Sequence, residues 1–444
     1  MKVFIFIWLG QFISLLGSRL TSFGLNVWIY QQTQSTTDFG LLVMCTSVTS
    51  LVVSPVTGFF VDQWNRRWTM IVCDLCEALC TLCIAWLFLT EQIEIWHLYL
   101  NAVITSCFNS CQSTAYAAAT TLIVPKEYLI RASGLTSMSR SISKLVSSTL
   151  AGILLVIVKL KGLFLIDFVT FFFGVIPLLL VKFTEVARTN TTSEETPEKS
   201  FFEETAYGWN YLTTRPGLLG LLLFFAITNI FIGCFNVLAT PLLLSLGSPI
   251  VLGIVLSIAS CGSLIGGVLV SIWKEPKNCI KTLFSFRLLA GLFILLAGLQ
   301  PSIYLFTICL FGLYFTVPVV ISLVQVLFQK KVPPEVQGRV FSLKEAIATI
   351  GLTVGYAIAG PLDDLVFEPL MAKGGLLANK IGEIIGIGEG SGIGLFDIVM
   401  GLLLILGTVA AYQYPRLQKV DNELPDMIPE DVRSLTGTHK NFFF

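Results

Sequence analysis

Histidine and charged residues are scarce in this sequence. Only His97 and His439 occur among 444 residues, and only 13% of residues are charged, against ~25% in average soluble domains. Basic and acidic residues both number 28, so the chain lacks the basic surface that nucleic-acid binding requires. Two histidines leave no credible Ser-His-Asp arrangement, and no P-loop motif occurs. We therefore expect neither an enzyme, nor a P-loop ATP-binding protein, nor a nucleic-acid partner.

Apolar sequence is abundant. Hydrophobic residues make up 55% of the chain and the mean hydropathy is +0.81, and apolar runs of the ~20 residues needed to cross a bilayer recur. The first run continues to Tyr30 without a small-residue cleavage site, so it predicts a membrane helix rather than a signal peptide. The sequence predicts an all-α polytopic membrane protein in a lipid bilayer, with twelve transmembrane helices near 4–30, 39–61, 67–90, 97–123, 133–158, 162–183, 217–245, 249–273, 280–299, 302–329, 340–361 and 393–413.

The eleven cysteines fall almost entirely inside these apolar runs, where a free cysteine behaves as a small hydrophobe. One cluster has the spacing of two zinc-ligand pairs: Cys73, Cys76, Cys80 and Cys83. On one continuous helix these positions form a stripe, whereas structural zinc needs ligands from converging elements. We therefore expect no metal.

A polar, glutamate-rich segment at mid-chain divides the sequence. The predicted organisation is a six-helix half at 1–183, a cytoplasmic linker at 184–216, a second six-helix half at 217–414 and a cytoplasmic tail at 415–444. Lys and Arg concentrate in the loops on one side, which the positive-inside rule makes cytoplasmic. Both termini and the linker lie on that side.

The two halves repeat each other. Residues 125–154 align without a gap on residues 333–362. Chance similarity between apolar helices explains matched leucines but not a shared Pro-x-Glu-x-x-x-Arg. The sequence therefore favours two pseudo-symmetric halves, as in one large class of transporters.

The sharpest local motif lies between helices two and three, at 58–67. It resembles the Gly-x-x-x-Asp-Arg-x-Gly-Arg-Arg/Lys signature of the major facilitator superfamily. The matching residues are Gly58, Asp62, Arg66 and Arg67, and the departures are Gln63 and Asn65. The resemblance implies a gating loop that latches the two halves on the cytoplasmic side. The alternative is an ordinary positive-inside loop.

Residues 10–35, 333–342 and 360–378 resemble the macrolide-efflux branch of that superfamily, which also includes siderophore exporters. The resemblance implies a bacterial inner-membrane protein that exports an amphipathic compound by proton antiport. The chain departs from antiporters of the superfamily with a helix-five motif, which have Gly-Pro where this chain has Ser147-Ser148.

Polar residues recur at helical spacing inside four predicted helices. Such residues usually face the interior of a bundle, and the resemblance places helices one, four, seven and ten around a central cavity. They also hydrogen-bond between helices, which is the alternative. The candidate cavity residues are Gln11, Ser14, Ser18, Asn101, Thr105, Asn109, Gln112, Tyr116, Asn229, Asn236, Thr240, Tyr314, Ser322 and Gln325.

Few charges lie inside the predicted helices. Arg140 and Lys144 are one turn apart, so we expect them to meet carboxylates, with Asp74, Glu77 and Asp62 as partners. A proton-coupled carrier needs a carboxylate whose protonation differs between its two facing states, and a static structural ion pair is the alternative. The intramembrane charges are Arg19, Asp74, Glu77, Arg140, Lys144, Asp167, Arg287 and Asp397.

These features favour a monomeric secondary transporter that moves a small organic molecule by alternating access. Its expected energy source is the proton gradient, and no bound cofactor is expected. Two alternatives stay open: an importer of the same fold, and a transporter-like receptor or binding protein that no longer transports.

Overall fold

The computed structural model describes residues 1–181, 201–273, 276, 278–300, 302–385 and 390–418. Within these ranges it describes the backbone alone at 58–63, 126, 130, 201–206, 334–335, 379, 383–385 and 418. This part of the chain folds into long helices, and no strand occurs in it. The predicted all-α class is therefore confirmed.

Six long helices form the first half. Their bounds are α1 Lys2–Thr33, α2 Thr36–Gln63, α3 Arg66–Leu89, α4 Ile95–Ile123, α5 Leu129–Ile157 and α6 Lys159–Leu180. A short 3₁₀ turn, Lys126–Tyr128, precedes α5. All four clustered cysteines lie on α3, from the buried Cys73 to the exposed Cys83.

The rest of the described chain begins with α7, Phe201–Thr213, a helix inside the predicted linker. The long helices are α8 Pro216–Leu246, α9 Pro249–Ile272, α10 Cys279–Gly298, α11 Ile303–Lys331, α12 Pro334–Leu362 and α15 Ser391–Gln413. A π-helical turn, Asp363–Phe367, extends α12, and the short helices are α13 Glu368–Met371, α14 Ala378–Ile385 and α16 Pro415–Gln418.

Two sequence expectations needed correction. Helix α12 begins at Pro334 rather than near residue 340, because proline is well tolerated in the first turn of a helix. The linker was expected to be polar and aqueous, but α7 packs on α12 and α8. The α7 residue Tyr211 donates a hydrogen bond to the Lys331 carbonyl oxygen at 3.3 Å. The neighbouring Leu212 is fully buried.

Eleven helices in the described part of the chain are long and apolar enough to cross a membrane. Helix α4 is as long as these, at 29 residues, but it has a lower share of apolar side chains. Its polar residues face the cavities described below, so the low hydropathy of α4 reflects its position in the bundle. With α4, the set of twelve long helices matches the prediction.

The halves meet through two helix pairs. Within the first half, α1 packs on α5 and α6, and α4 packs on α2 and α3. Within the second half, α8 packs on α12, and α11 packs on α9 and α10. The halves touch mainly where α5 meets α9 and where α2 meets α12. The fifth helix of each half thus packs on the second helix of the other, as pseudo-twofold symmetry requires.

Close backbone contacts join the halves at one end of the bundle. We call the end where α1 begins the terminal face, and the end where α1 leads into α2 the far face. Near the far face, a Cβ built on Gly253 would lie 2.3 Å from the Ser148 carbonyl oxygen, and one on Gly152 would lie 2.5 Å from that of Pro249. Small residues allow this approach. The far face is therefore closed.

At the terminal face, the sides of α5 and α9 that touch near the far face are separated. Gly134 and Gly267 lie 18 residues, or five full turns, from the touching residues Gly152 and Pro249 respectively. A Cβ at either glycine would meet no atom within 4 Å. The same holds for Gly338 on α12. The halves are therefore joined at the far face and separated at the terminal face.

A carboxylate reinforces the closed face. Asp364, in the π-helical turn after α12, accepts hydrogen bonds from the backbone N–H groups of Thr36 and Thr37 at 3.2 and 2.9 Å. It also accepts from the Ser35 hydroxyl at 2.9 Å and the Thr36 hydroxyl at 2.6 Å. These are the free donors at the start of α2, so a residue of one half caps a helix of the other.

Candidate functional site

Two buried carboxylates, Asp74 and Asp167, and one partly buried carboxylate, Glu77, lie in the first half. Asp74 on α3 accepts hydrogen bonds from the side-chain amides of Gln11, at 3.0 Å, and Gln112. The Gln112 amide also donates to the Gln11 side-chain oxygen at 3.0 Å. Helices α1, α3 and α4 therefore hold Asp74 among neutral donors rather than against a cation.

Asp167 on α6 is held in the same way. Its carboxylate accepts hydrogen bonds from the hydroxyls of Ser18 at 3.1 Å and Thr81 at 3.3 Å. Glu77 lies one turn from Asp74 on α3, and its Oε1 atom is buried without a hydrogen-bond partner in the described structure. A buried, unsatisfied carboxylate oxygen is costly, and within a membrane such a group is a functional candidate.

Two adjoining cavities enclose these carboxylates, with volumes of about 280 and 360 Å³. Both are lined by Asp74 and Glu77. Apart from Lys144, every candidate cavity residue and intramembrane charge of the first half lines one or both: Gln11, Ser14, Ser18, Arg19, Asp74, Glu77, Asn101, Thr105, Asn109, Gln112, Tyr116, Arg140 and Asp167. Helices three and six thus contribute to the cavity beside the expected helices one and four.

The expected ion pairs of Arg140 and Lys144 are not found among the residues that the structure describes. Arg140 lines the same cavity as Asp74 and Glu77, but glutamine amides occupy the Asp74 oxygens. Lys144 instead lies over the Tyr314 ring of the second half, 5.0 Å from the ring centroid. No side chain of Asp62 is described, so its role as a partner stays a prediction.

The second half has a cationic cavity of about 250 Å³. Arg287 donates to the Asn229 side-chain oxygen at 3.2 Å, and Asn229 donates to the Ala348 carbonyl oxygen at 3.2 Å. The Tyr314 hydroxyl donates to the Asn236 side-chain oxygen at 3.3 Å. The candidates that line this cavity are Lys144, Asn229, Asn236, Arg287 and Tyr314. Thr240, Ser322 and Gln325 are not among its lining residues.

Lys344 is a functional candidate that the sequence reasoning missed. It is buried on α12, lines the same cavity and donates to the Gln325 side-chain oxygen. The predicted start of this helix at residue 340 made Lys344 look like an end-of-helix charge. With the helix beginning at Pro334, Lys344 is its eleventh residue, about three turns inside it, and a lysine that deep in a membrane helix was the available signal. The predicted charge Asp397 lies on α15, fully buried and outside these cavities.

The described arginines of the gating motif bond within their own half. Arg67 donates to the carbonyl oxygens of Leu178 and Leu179 at the end of α6, at 2.6 and 2.7 Å. Arg66 donates to the Ala118 carbonyl oxygen at 3.5 Å. Asn65, one of the departures from the family signature, caps α3 by accepting from the Arg67 and Trp68 N–H groups. The side chains of Gly58 and Asp62 lie outside the described residues, so the latch stays a prediction.

Several known transporters are similar to this chain. Macrolide efflux protein A of Streptococcus pyogenes is 24% identical over 364 residues, which cover 81% of this chain and 89% of that protein. Enterobactin exporter EntS of Shigella flexneri is 27% identical over 411 residues, which cover 90% of each chain. The curated relatives therefore match this chain over most of their length.

Solved structures share the fold. The nucleoside transporter NupG superposes with a TM-score of 0.69 at 12% identity, covering 93% of this chain and all of that one. A bacterial homologue of the human lysosomal transporter Spinster, inward-facing and occupied, gives 0.67 at 16% identity, covering 93% and 95%. The family model of the Major Facilitator Superfamily matches residues 7–356. With two six-helix halves around polar intramembrane cavities, this chain belongs to the major facilitator superfamily.

Proposed function

We propose that this protein is a proton-driven exporter of small amphipathic organic compounds that works by alternating access. The observation that carries the proposal is the group of three carboxylates, two of them buried, that line the intramembrane cavities. The relatives support the direction of transport, since their names describe a macrolide efflux protein and an enterobactin exporter.

The carboxylates suit proton coupling because neutral donors surround them. An amide or hydroxyl that bonds to a carboxylate can reorient when the acid becomes protonated, whereas a lysine or arginine partner would fix the ionised form. Asp74 and Asp167 have only such neutral hydrogen-bond donors among the described side chains. They line the cavities of the first half, and a proton would reach them from whichever face is open.

The observed packing supplies one of the two states that alternating access needs. The far face is closed by the glycine contacts and the Asp364 cap, while the two halves are separated at the terminal face. The concentration of Lys and Arg in terminal-face loops makes that face cytoplasmic by the positive-inside rule. This conformation would then admit cargo from the cytoplasm, and rocking of the halves would release it outside.

Proteoliposomes holding the full chain test the proposal. We expect an imposed pH gradient to drive accumulation of a macrolide or a catecholate siderophore, and an uncoupler to stop it. Vesicles with the Asp74→Asn, Glu77→Gln, Asp167→Asn triple variant are the matched control. Accumulation that continues in the presence of the uncoupler would refute proton coupling. Saturable binding without any flux would identify a receptor, and accumulation in the opposite direction would identify an importer.

A further inference from the structure

We propose that the cavity of the second half is an anion site, and that the cargo of this transporter is an amphipathic organic acid whose acid group binds between Arg287 and Lys344. The inference rests on the proposed function and deepens it by naming the charge of the cargo. It comes from an imbalance of charge in that cavity.

Three cations from three helices meet in this one cavity. Lys144 comes from α5, Arg287 from α10 and Lys344 from α12. The exposed fractions of Arg287 and Lys344 are only 4% and 6%. The acidic side chain that shares the lining is Glu345, which is exposed. Burying cations without paired carboxylates costs several kcal/mol per ion, so the site has an unmet preference for negative charge.

The partners of the buried cations solvate them without neutralising them. Arg287 has one hydrogen bond to the neutral Asn229 amide, and Lys344 has one to the neutral Gln325 amide. The Nε atom of Arg287 is buried with no hydrogen-bond partner in the described structure. A guanidinium has five N–H donors in a planar fork that matches a carboxylate. Arg287 therefore has donors left for an anionic ligand.

The surrounding contacts hold the two cations at one place. Asn229 is fixed by its own bond to the Ala348 carbonyl oxygen, so its side-chain oxygen stays directed at Arg287. Lys344 lies one turn before Ala348 on the same helix, where i and i+4 share a face. Arg287 and Lys344 therefore lie near the same turn of α12 and line one cavity, and we place the acid group of the cargo between them.

The remainder of the cavity indicates the body of the ligand. Asn236 lies seven residues after Asn229 on α8, which is roughly 10 Å along the helix. At that end are Tyr314 and the Lys144 ammonium over its ring. The walls in between include the apolar residues Ile232, Leu313 and Val317. At the other end, the Arg287 guanidinium lies 5.1 Å from the Phe225 ring centroid. The shape suits an acid with an aromatic or branched apolar body.

The first half presents the opposite charge. The cavities of that half are lined by three carboxylates, Asp74, Glu77 and Asp167, and by two cations, Arg19 and Arg140. With the carboxylates ionised, the net charge is negative and disfavours a bound anion. Protons would then bind to the first half, and the acid group of the cargo would bind to the second half. An organic cation would place its charge in the first half and gain nothing from Arg287.

Binding of matched aromatic probes to the full chain tests the inference. The protein is placed in nanodiscs of neutral lipid and titrated with 1-naphthoate, with its neutral isostere 1-naphthamide and with the cation 1-naphthylmethylamine, by saturation-transfer NMR. Empty nanodiscs give the membrane background. We expect naphthoate to bind about tenfold tighter than naphthamide, as one charge-assisted interaction supplies. Equal affinities, a preference for the amine, or no binding of any probe would overturn the anion site.

Substitutions locate the site. Arg287→Gln and Lys344→Gln should each reduce the naphthoate-to-naphthamide ratio to near one, while Lys161→Gln, which removes an exposed far-face lysine, should leave it unchanged. If the buried variants fail to fold, Lys144→Gln on the cavity wall should still lower the ratio about threefold. An unchanged ratio in folded Arg287→Gln would place the anion elsewhere and overturn the assignment.

Flux separates the two proposals. Naphthoate that binds with the expected preference but shows no counterflow in proteoliposomes would refute transport and leave the anion site standing. Flux of neutral or cationic compounds without naphthoate preference would refute the anion site and leave transport standing.

Discussion

Replacing Gly253 with alanine should open the far face. The added Cβ would lie 2.3 Å from the Ser148 carbonyl oxygen and 3.1 Å from its carbon, well inside van der Waals contact. Backbone atoms cannot rotate away as a side chain does, so α5 and α9 must separate by roughly 1 Å to restore normal contact. The clash exists only while the halves touch at this end.

The structure sets the size of the effect. Overpacking a tight contact costs about 1–3 kcal/mol, and here the cost falls on the far-face-closed state alone. Alanine also raises helix propensity by about 0.5–1 kcal/mol relative to glycine, but equally in both states, so this gain cancels. The ratio of open to closed far faces should therefore rise about 5- to 150-fold.

Electron–electron distance measurements between spin labels read this ratio. In a cysteine-free background, labels at the exposed residues Gln32 and Ser248 report the far face, and labels at Ser133 and Trp273 report the terminal face. Gly253→Ala should lengthen the first distance and shorten the second. The full chain in nanodiscs is used for every variant.

Gly134→Ala is the matched control. It is the same change on the partner helix, at a site where a Cβ meets nothing within 4 Å, and it should not lengthen the far-face distance. If Gly253→Ala leaves both distance distributions as in the parent protein, the glycine contacts do not hold the far face. The same conclusion follows if Gly134→Ala opens the far face equally.

Three further predictions follow from individual contacts. Asp364→Asn removes the charge of the cap on α2, so it should destabilise the closed far face by about 0.5–2 kcal/mol. The far-face distance should then lengthen, and an unchanged distance distribution would rule out the cap as a gate. Asp74→Asn should abolish accumulation driven by a pH gradient while substrate counterflow persists, with the exposed Glu91→Gln as control; gradient-driven accumulation at the parent rate would exclude Asp74 from coupling. Asn65→Ala should lower the unfolding free energy by about 1 kcal/mol through loss of the α3 cap, seen as a lower melting temperature, whereas Asn65→Asp should restore it.

The helices and their repeat could be predicted from the sequence because both are local properties. Apolar length, loop charge and the matched Pro-x-Glu-x-x-x-Arg segments predict a two-half bundle, and the structure confirms the all-α fold with its long helices. The candidate polar residues on helices one and four line the cavities of the first half, and their role in binding substrate stays a prediction. Local signals failed where a helix is anchored by its neighbours, as in α7, or where a charge lies near the predicted start of a helix, as with Lys344.

Tertiary structure alone decided which residues meet. In lipid, helices associate by close packing at small residues rather than by a hydrophobic gradient, so the rotation of each helix depends on contacts such as Gly152 with Pro249. That rotation brings Asp167 of α6 beside the carboxylates of α3 and lets Arg67 donate to a carbonyl oxygen at the end of α6. It also places Lys144 and Lys344 around one cavity. Sequence periodicity fixes which residues share a helix face, but the partner of that face depends on how whole helices cross.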